Sequence, residues 1–153
     1  MMAGRQTSQL RKSFVDSIYL AMIAAIKKYK DNIATLKEFD HMEVYRWLIA
    51  LGKKLNDDPL SEPRRTEANQ VSYCQYQLYV DWEDNKFKAW SNAMIAAGYA
   101  YMLLDIFNSL PIEESKKLTA KHFEELDMQQ LLSMNRQNGF YQMIKMMRAK
   151  IPK

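Results

Sequence analysis

The stretch YQLYVDWEDNKFKAW, residues 76–90, decides the fold because its hydrophobic period is two. Apolar side chains occupy every second position at residues 76–82, which is the pattern of a half-buried strand. Residues 83–86 predict a tight turn, and residues 87–90 predict a returning strand. With a short strand at residues 69–72, the sequence predicts a small antiparallel sheet of about three strands.

Helical patterns lie on both sides of this hairpin. Apolar residues at helical spacing predict an amphipathic helix at about residues 8–30, followed by a linker at 31–39. Asp40 is placed as the N-cap of a second helix, in a capping box with Glu43, and Gly52 as a site of close packing. The remaining predicted helices are a buried one at 93–107, short ones beginning near Pro111 and Thr119, and a last one at about 136–149.

This order of elements, with helices before and after a small sheet, is typical of an α+β domain in which the sheet packs against several helices. A chain of 153 residues is long enough to bury one substantial core. We divide it into an N-terminal helix with its linker at residues 1–35 and a main domain at residues 36–153.

The composition argues against several classes of partner. The chain has 22 basic and 18 acidic residues, mixed along its length, so we expect a solvated surface and no nucleic-acid partner. The apolar run at residues 93–104 is too short to cross a bilayer, so we expect no membrane partner. One cysteine cannot form an internal disulfide, which favours a cytoplasmic location, although targeting by the N-terminal segment stays open. We expect a monomer or a weak dimer.

Residue patterns for common catalytic sites are scarce. His41, His122 and the one cysteine are far apart in sequence, so no metal site is expected. No glycine-rich loop of the GxGxxG or GxxxxGK[ST] type occurs. The acidic pairs at 113–114 and 124–125 predict solvated helix faces, because adjacent residues on a helix point apart.

Cys74 is the remaining candidate for chemistry. Lone cysteines are most often buried and inert. Cys74 comes at the start of a predicted strand, beside a polar loop that contains Arg64 and Arg65. A cation folded over the thiol would favour the reactive thiolate. From these residues alone, both an inert and a reactive cysteine stay open.

The run LGKKLNDDPLSEPRRTEANQVSYCQYQLYV, residues 51–80, resembles the signature region of the SufE family, which includes CsdE. The family pattern is a helix ending in LGxxL, a loop with proline and arginine, then asparagine and valine shortly before GCQS, and a strand with an aromatic residue. The corresponding positions here are Leu51 to Leu55, Arg65, Asn69, Val71, Cys74, Gln75, Gln77 and Tyr79.

Two later segments are similar to the same family. WSNAMIAAGY, residues 90–99, is similar to the family segment GDSDAxIVKGL, and NRQNGFYQMIKMMRAK, residues 135–150, is similar to SRxxGLxxMI. The resemblance covers about residues 36–150, with its motifs in the family's order. The positions kept in these two segments are Ser91, Ala93, Ile95, Gly98, Arg136, Gly139, Met143 and Ile144.

The resemblance implies a SufE-like fold and a sulfur carrier. Cys74 would receive persulfide sulfur from a cysteine desulfurase of the SufS or CsdA kind and stimulate that enzyme. The desulfurase would carry pyridoxal phosphate, so no cofactor is expected on this chain. The sulfur would pass to an iron–sulfur scaffold or another acceptor, which makes the protein a carrier and activator rather than a free-standing enzyme.

Around Cys74 the chain departs from the family pattern. Tyr73 stands where the family has glycine, and Tyr76 stands where it has serine. These two tyrosines would either guard a persulfide or close the site. Asn92, Ala97 and Asn135 replace an aspartate, a lysine and a serine of the family. The residues expected to shape the cysteine loop or contact the partner are Arg65, Asn69, Tyr73, Gln75, Tyr76, Gln77 and Arg136.

Two other functions remain as alternatives. An interaction module would bind and regulate a desulfurase without carrying sulfur, because its tyrosines seal the thiol. A thiol enzyme would need a base such as His41 or His122 within hydrogen-bond reach of Cys74.

Overall fold

The computed structural model describes residues 20, 22 and 24–153, which adopt the predicted α+β fold. The two strands are β1 (Leu78–Glu83) and β2 (Lys86–Ser91). The helices are α1 (residues 24–39), α2 (His41–Leu55), α3 (Met94–Asn108), α4 (Ile112–Ser115), α5 (Ala120–Phe123), α6 (Met128–Leu131) and α7 (Met134–Lys150). Short 3₁₀ turns lie at Glu62–Arg64, Glu67–Asn69 and Glu124–Leu126.

The predicted hairpin is confirmed. β1 and β2 pair antiparallel, and Glu83 faces Lys86 across a two-residue turn. The turn residues Asp84 and Asn85 have φ values of 56° and 63°. Aspartate and asparagine tolerate this left-handed conformation, and two positive φ values in succession match the right-handed twist of the strands.

The third strand is a correction to the prediction. Within the described residues the sheet has two strands, and of the segment 69–72 only Gln70 makes a bridge, to Tyr79. The chain leaves the sheet because it turns immediately: the N–H of Cys74 donates to the carbonyl of Val71 at 3.1 Å. That turn places Cys74 on a loop instead of at a strand end.

The linker at residues 31–39 is a second correction, because these residues are helical and continue α1. Ile33 is almost fully buried in the core, which favours the helix over an exposed connection. Asp40 is the N-cap of α2, as predicted, and its Oδ1 accepts from the N–H of Met42 at 3.1 Å. Glu43 pairs with Arg46 instead of completing a capping box. Most of the helix predicted at residues 8–30 lies outside the described residues.

Helices α2 and α3 approach each other very closely, and two glycines make this possible. A Cβ on Gly98 would overlap the carbonyl of Leu48, and a Cβ on Gly52 would stand 2.9 Å from the carbonyl oxygen of Met94. Close packing at Gly52 is therefore confirmed.

Helix α3 is the buried centre of the fold, as predicted, and α7 packs against it through aromatic rings. Tyr99 and Phe140 make an edge-to-face pair with centroids 5.7 Å apart, and Phe140 makes a similar pair with Phe123. This packing fixes the face of α7 that lies beneath the Cys74 loop. In the described part of the chain, no helix is both long and apolar enough to cross a membrane.

Candidate functional site

Cys74 lies on the cysteine loop, which we define as residues 71–77, just before β1. The loop closes at its base because the N–H of Val71 donates to the carbonyl of Leu78 at 2.8 Å. Cys74 is half-buried, and its thiol is free. This combination of a fixed base and a partly open side chain suits a group that must meet a partner.

The far end of the cysteine loop is fixed to the start of α3. The N–H of Gln77 donates to Oδ1 of Asn92 at 3.0 Å, and its carbonyl accepts from Oγ of Ser91 at 2.7 Å. Gln77 therefore shapes the loop through its backbone, while its side chain is exposed.

Helix α7 holds the middle of the cysteine loop. The side-chain oxygen of Gln142 accepts from the N–H of Tyr73 at 2.7 Å, and its nitrogen donates to Oγ of Ser72 at 2.8 Å. One amide thus ties the two residues before Cys74 to the last helix.

The two tyrosines beside Cys74 do not seal it. The side chains of Tyr73 and Tyr76 are 66% and 52% exposed, so both point largely into solvent. Neither has a positive φ, so the replacement of glycine at position 73 requires no strained backbone.

A cavity of about 280 Å³ opens beside the thiol, with mostly apolar walls. It lies where the cysteine loop, α3 and α7 converge. An apolar wall excludes water from a reactive sulfur and leaves room for an added sulfur atom. The residues that line the cavity include Cys74, Gln75, Tyr76, Ile95, Ala96 and Arg136.

The hydroxyl of Tyr99 approaches Cys74 from the core side. A Cβ built on Gly139 would stand 2.7 Å from this hydroxyl and 3.5 Å from both Cα and Cβ of Cys74. The absence of a side chain at Gly139 therefore lets the hydroxyl and the cysteine come together. Burial and the neighbouring Cys74 thiol raise the pKa of the Tyr99 hydroxyl far above its ordinary value, while Arg136 lowers it. The hydroxyl consequently stays protonated at neutral pH.

Arg136 brings a positive charge to this site. It lines the cavity with Cys74, and its charge acts on the Tyr99 hydroxyl. A guanidinium in this place offers N–H donors and a positive charge to a group in the cavity. The structure thus brings together four of the predicted site residues, namely Cys74, Gln75, Tyr76 and Arg136.

Two predicted site residues serve the scaffold away from the thiol. Arg65 stacks on Trp90, with its guanidinium carbon 4.6 Å from the ring centroid, and donates to the carbonyl of Leu60. Asn69 donates to Asp81 at 3.2 Å and accepts from Nζ of Lys150 at 2.6 Å. They shape the region before the cysteine loop and do not line the cavity.

Neither histidine supplies a base to Cys74. His122 completes a capping box with Thr119, whose N–H donates to its Nδ1 at 3.0 Å, and His41 is exposed at the start of α2. Among the residues that the structure describes, no three histidine, cysteine or acidic side chains gather where they could hold a metal.

Sequence reasoning missed the two side chains that contact the cysteine loop from the helices. Gln142 lies 69 positions beyond Tyr73 in sequence. As an isolated polar residue on a helix, it carries no sequence pattern that would predict a contact with the cysteine loop. The sequence pattern presents Tyr99 as one more apolar position of a buried helix. Such a pattern does not reveal where the hydroxyl points.

The family comparison covers this whole arrangement. The domain described as "SufE: Fe-S metabolism associated domain" matches residues 30–151. The chain belongs to the SufE family. The matched residues include the two glycines at the contact of α2 with α3, the cysteine loop, the hairpin and α7. The SufE-like fold expected from the sequence motifs is confirmed, and the family associates the chain with Fe–S metabolism.

Curated relatives agree with this family. An uncharacterised SufE-like protein of Synechocystis is 35% identical over 142 residues, which covers 87% of this chain and 88% of the relative. Another from Rhizobium etli is 29% identical over 135 residues, covering 82% and 88%. A SufE-like protein of Arabidopsis thaliana, named chloroplastic/mitochondrial, is 32% identical over 111 residues, covering 69% of this chain and 29% of that longer protein.

Proposed function

We propose that this protein receives persulfide sulfur on Cys74 from a cysteine desulfurase, stimulates that enzyme and passes the sulfur on. The destination is iron–sulfur cluster assembly or another sulfur-trafficking acceptor. The observation that carries the proposal is the position of Cys74, the chain's one cysteine, on an anchored loop at the mouth of an apolar cavity. Membership of a family associated with Fe–S metabolism supports the same function.

The transfer needs one nucleophile and no external oxidant. The Cys74 thiolate attacks the outer sulfur of a persulfide on the desulfurase. A new S–S bond forms on Cys74 as the donor's S–S bond breaks, and the electron pair leaves with the donor's cysteine as a thiolate. A nucleophile on the downstream acceptor then repeats the exchange and regenerates the Cys74 thiolate.

The site meets the requirements of this chemistry. The half-buried thiol is reachable from solvent, the cavity gives the added sulfur an apolar place, and Arg136 stabilises an anionic sulfur. Pyridoxal phosphate belongs to the desulfurase that first forms the persulfide, so this chain carries the sulfur without a cofactor of its own.

The outer face of the site is suited to a protein partner. Tyr73, Tyr76, Met94 and Met134 are all more than half exposed, and they lie on the segments that form or flank the cavity mouth. Exposed aromatic and methionine side chains are enriched where proteins associate. We propose that a desulfurase of the SufS or CsdA kind docks over this face.

The proposal implies that the protein shares a compartment with its desulfurase. The cytoplasm is the simplest such compartment. An organelle is the alternative, given the chloroplastic/mitochondrial name of the Arabidopsis relative. One copy of the chain is sufficient for the transfer, in keeping with a monomer or a weak dimer.

A Cys74→Ser variant tests the proposal against a purely regulatory module. We expect the variant to bind a SufS-type desulfurase with the wild-type affinity and to lose stimulation of sulfide or alanine production from cysteine. Full stimulation by Cys74→Ser would show that the protein regulates its partner without carrying sulfur. Ser72→Cys in the Cys74→Ser background is a position control, and we expect it not to restore stimulation.

A further inference from the structure

The hydroxyl of Tyr99 is an unpartnered polar group in the core. Tyr99 is fully buried, and its hydroxyl makes no hydrogen bond of regular geometry within the described part of the chain; the Cys74 thiol is the neighbouring group that acts on it. Leaving a buried hydroxyl without a partner is costly, and native proteins seldom do so without a reason. A phenylalanine would fill the same place without this cost.

The hydroxyl is aimed at the sulfur site. It lies within 2.7 Å of the position that a side chain of Gly139 would occupy, and the Cβ of Cys74 lies 3.5 Å from the same point. The Tyr99 ring is held on its other side by the edge-to-face contact with Phe140. The donor is therefore rigidly positioned before any sulfur arrives.

We propose that the Tyr99 hydroxyl donates a hydrogen bond to the outer sulfur of a persulfide on Cys74 and so retains it within the protein. The inference rests on the proposed function. A persulfide lengthens the cysteine side chain by one S–S bond, about 2 Å, and the added sulfur carries the negative charge that the neighbouring hydroxyl can meet.

The electrostatic surroundings suit a donor to an anion. The raised pKa keeps the Tyr99 hydroxyl protonated, so it donates and does not compete as a phenolate. Arg136 lines the cavity beside Cys74, and its positive charge also acts on the Tyr99 hydroxyl. A hydrogen bond to an anionic sulfur from a dry, fixed donor is stronger than one in water.

Tyr99 acts through Cys74, which is the acceptor of the sulfur, so Tyr99 is a positioning residue.

The test loads Cys74 without a desulfurase. Inorganic polysulfide supplies the sulfur: the Cys74 thiolate attacks a polysulfide sulfur, an S–S bond forms, and the electron pair leaves with the shortened polysulfide. After the reagent is removed, cyanide is added; it attacks the outer sulfur and leaves as thiocyanate, and the electron pair of the broken S–S bond stays on Cys74 as its thiolate. Intact mass measures the fraction of chains that retain one extra sulfur at successive times. Wild type is compared with Tyr99→Phe, which removes only the hydroxyl.

We expect Tyr99→Phe to lose the sulfur roughly tenfold faster than wild type, the effect of one hydrogen bond to a charged group. Tyr101→Phe, which removes a hydroxyl from the same helix near Lys54, should retain the sulfur like wild type. Equal retention in wild type and Tyr99→Phe overturns the proposal, including the case in which neither protein retains sulfur.

A second measurement separates positioning from packing. Iodoacetamide alkylation of the unloaded Cys74 reports access to the thiol. We expect Tyr99→Phe not to speed alkylation, because the ring still fills its place. A faster loss of sulfur matched by an equal rise in alkylation would show a loosened core and overturn the donor role.

The proposed function is judged by a separate outcome. If wild type accepts sulfur from a desulfurase but Tyr99→Phe retains it equally well, the role of Tyr99 is wrong and the carrier function stands. If no desulfurase loads wild type while Tyr99→Phe shortens the lifetime of the chemically formed persulfide, the carrier function is wrong and the role of Tyr99 stands.

Discussion

The side chain of Gln142 accepts a 2.7 Å hydrogen bond from the backbone N–H of Tyr73, the residue immediately before Cys74. The same amide donates to Ser72, so α7 grips the cysteine loop at two consecutive residues. The contact joins parts of the chain that are far apart in sequence. Gln142 is therefore one of the side chains that restrain the cysteine loop against outward movement.

We therefore expect Gln142→Ala to loosen the cysteine loop with little effect on the rest of the fold. The loss of two partly exposed hydrogen bonds should cost about 1 kcal/mol of unfolding free energy. Hydrogen exchange at residues 72–76 and alkylation of Cys74 should both become several-fold faster. Gln130→Ala on α6, an exposed glutamine, is the control. Unchanged exchange in Gln142→Ala would mean that the loop is held by other contacts.

The glycine contact between α2 and α3 predicts a large loss of stability. Gly98→Ala should cost at least about 2 kcal/mol despite the better helix propensity of alanine, because its Cβ would overlap the carbonyl of Leu48. Gly52→Ala, with a Cβ 2.9 Å from the nearest carbonyl oxygen, should cost less. Urea unfolding measures both. A Gly98→Ala protein as stable as wild type would contradict the close packing.

The charge of Arg136 should govern how fast Cys74 reacts. Arg136→Gln removes a cation that lines the cavity with Cys74, so negative charge on the reacting sulfur loses a positive neighbour. We expect iodoacetamide alkylation near neutral pH to slow roughly threefold to tenfold. Arg148→Gln, an exposed arginine in the last turn of α7, should leave the rate unchanged. An equal or faster rate in Arg136→Gln would show that this guanidinium does not act on the sulfur.

Glu83 should contribute stability that depends on pH. Hydrogen bonds from the side chain and backbone of Ser61, with the charge of Arg64, hold the pKa of Glu83 below its ordinary 4.5. The folded state therefore favours the carboxylate, and the contribution is full above the unfolded pKa and lost as pH falls through the folded one. Glu83→Gln should be less stable than wild type at pH near 7.

The difference between Glu83→Gln and wild type should shrink as the pH is lowered toward 3, when wild type loses the charged form too. Urea unfolding across this range measures the difference at each pH. Glu67→Gln, at an exposed position, is the control and should show no such narrowing. A constant difference between Glu83→Gln and wild type would mean that the ionised carboxylate is not what stabilises the fold.

Local patterns predicted the hairpin well, because its alternation and its turn residues act over a few positions. The prediction of a third strand is wrong because Val71 and Cys74 close a turn that no local sequence pattern indicates. The prediction of a linker at residues 31–39 is wrong because burial of Ile33 against the core stabilises a helix there. This tertiary effect outweighs the mixed local composition of the segment.

At the site, the sequence led to Cys74 and Arg136 through the motifs that contain them. It could not separate these from Arg65 and Asn69, which belong to the same motifs but support the scaffold. Tyr99 and Gln142 required coordinates, because their importance lies in which way a hydroxyl and an amide point. Motifs thus located the candidate cysteine, and packing revealed what surrounds it.

The central claim is that sulfur moves onto Cys74. The protein is incubated with cysteine and a desulfurase of the SufS or CsdA kind, and its intact mass and peptide masses are measured without reductant. We predict a gain of one sulfur atom, mapped to Cys74 and absent in Cys74→Ser. An unchanged mass with each of several desulfurases that are active on cysteine would contradict the account.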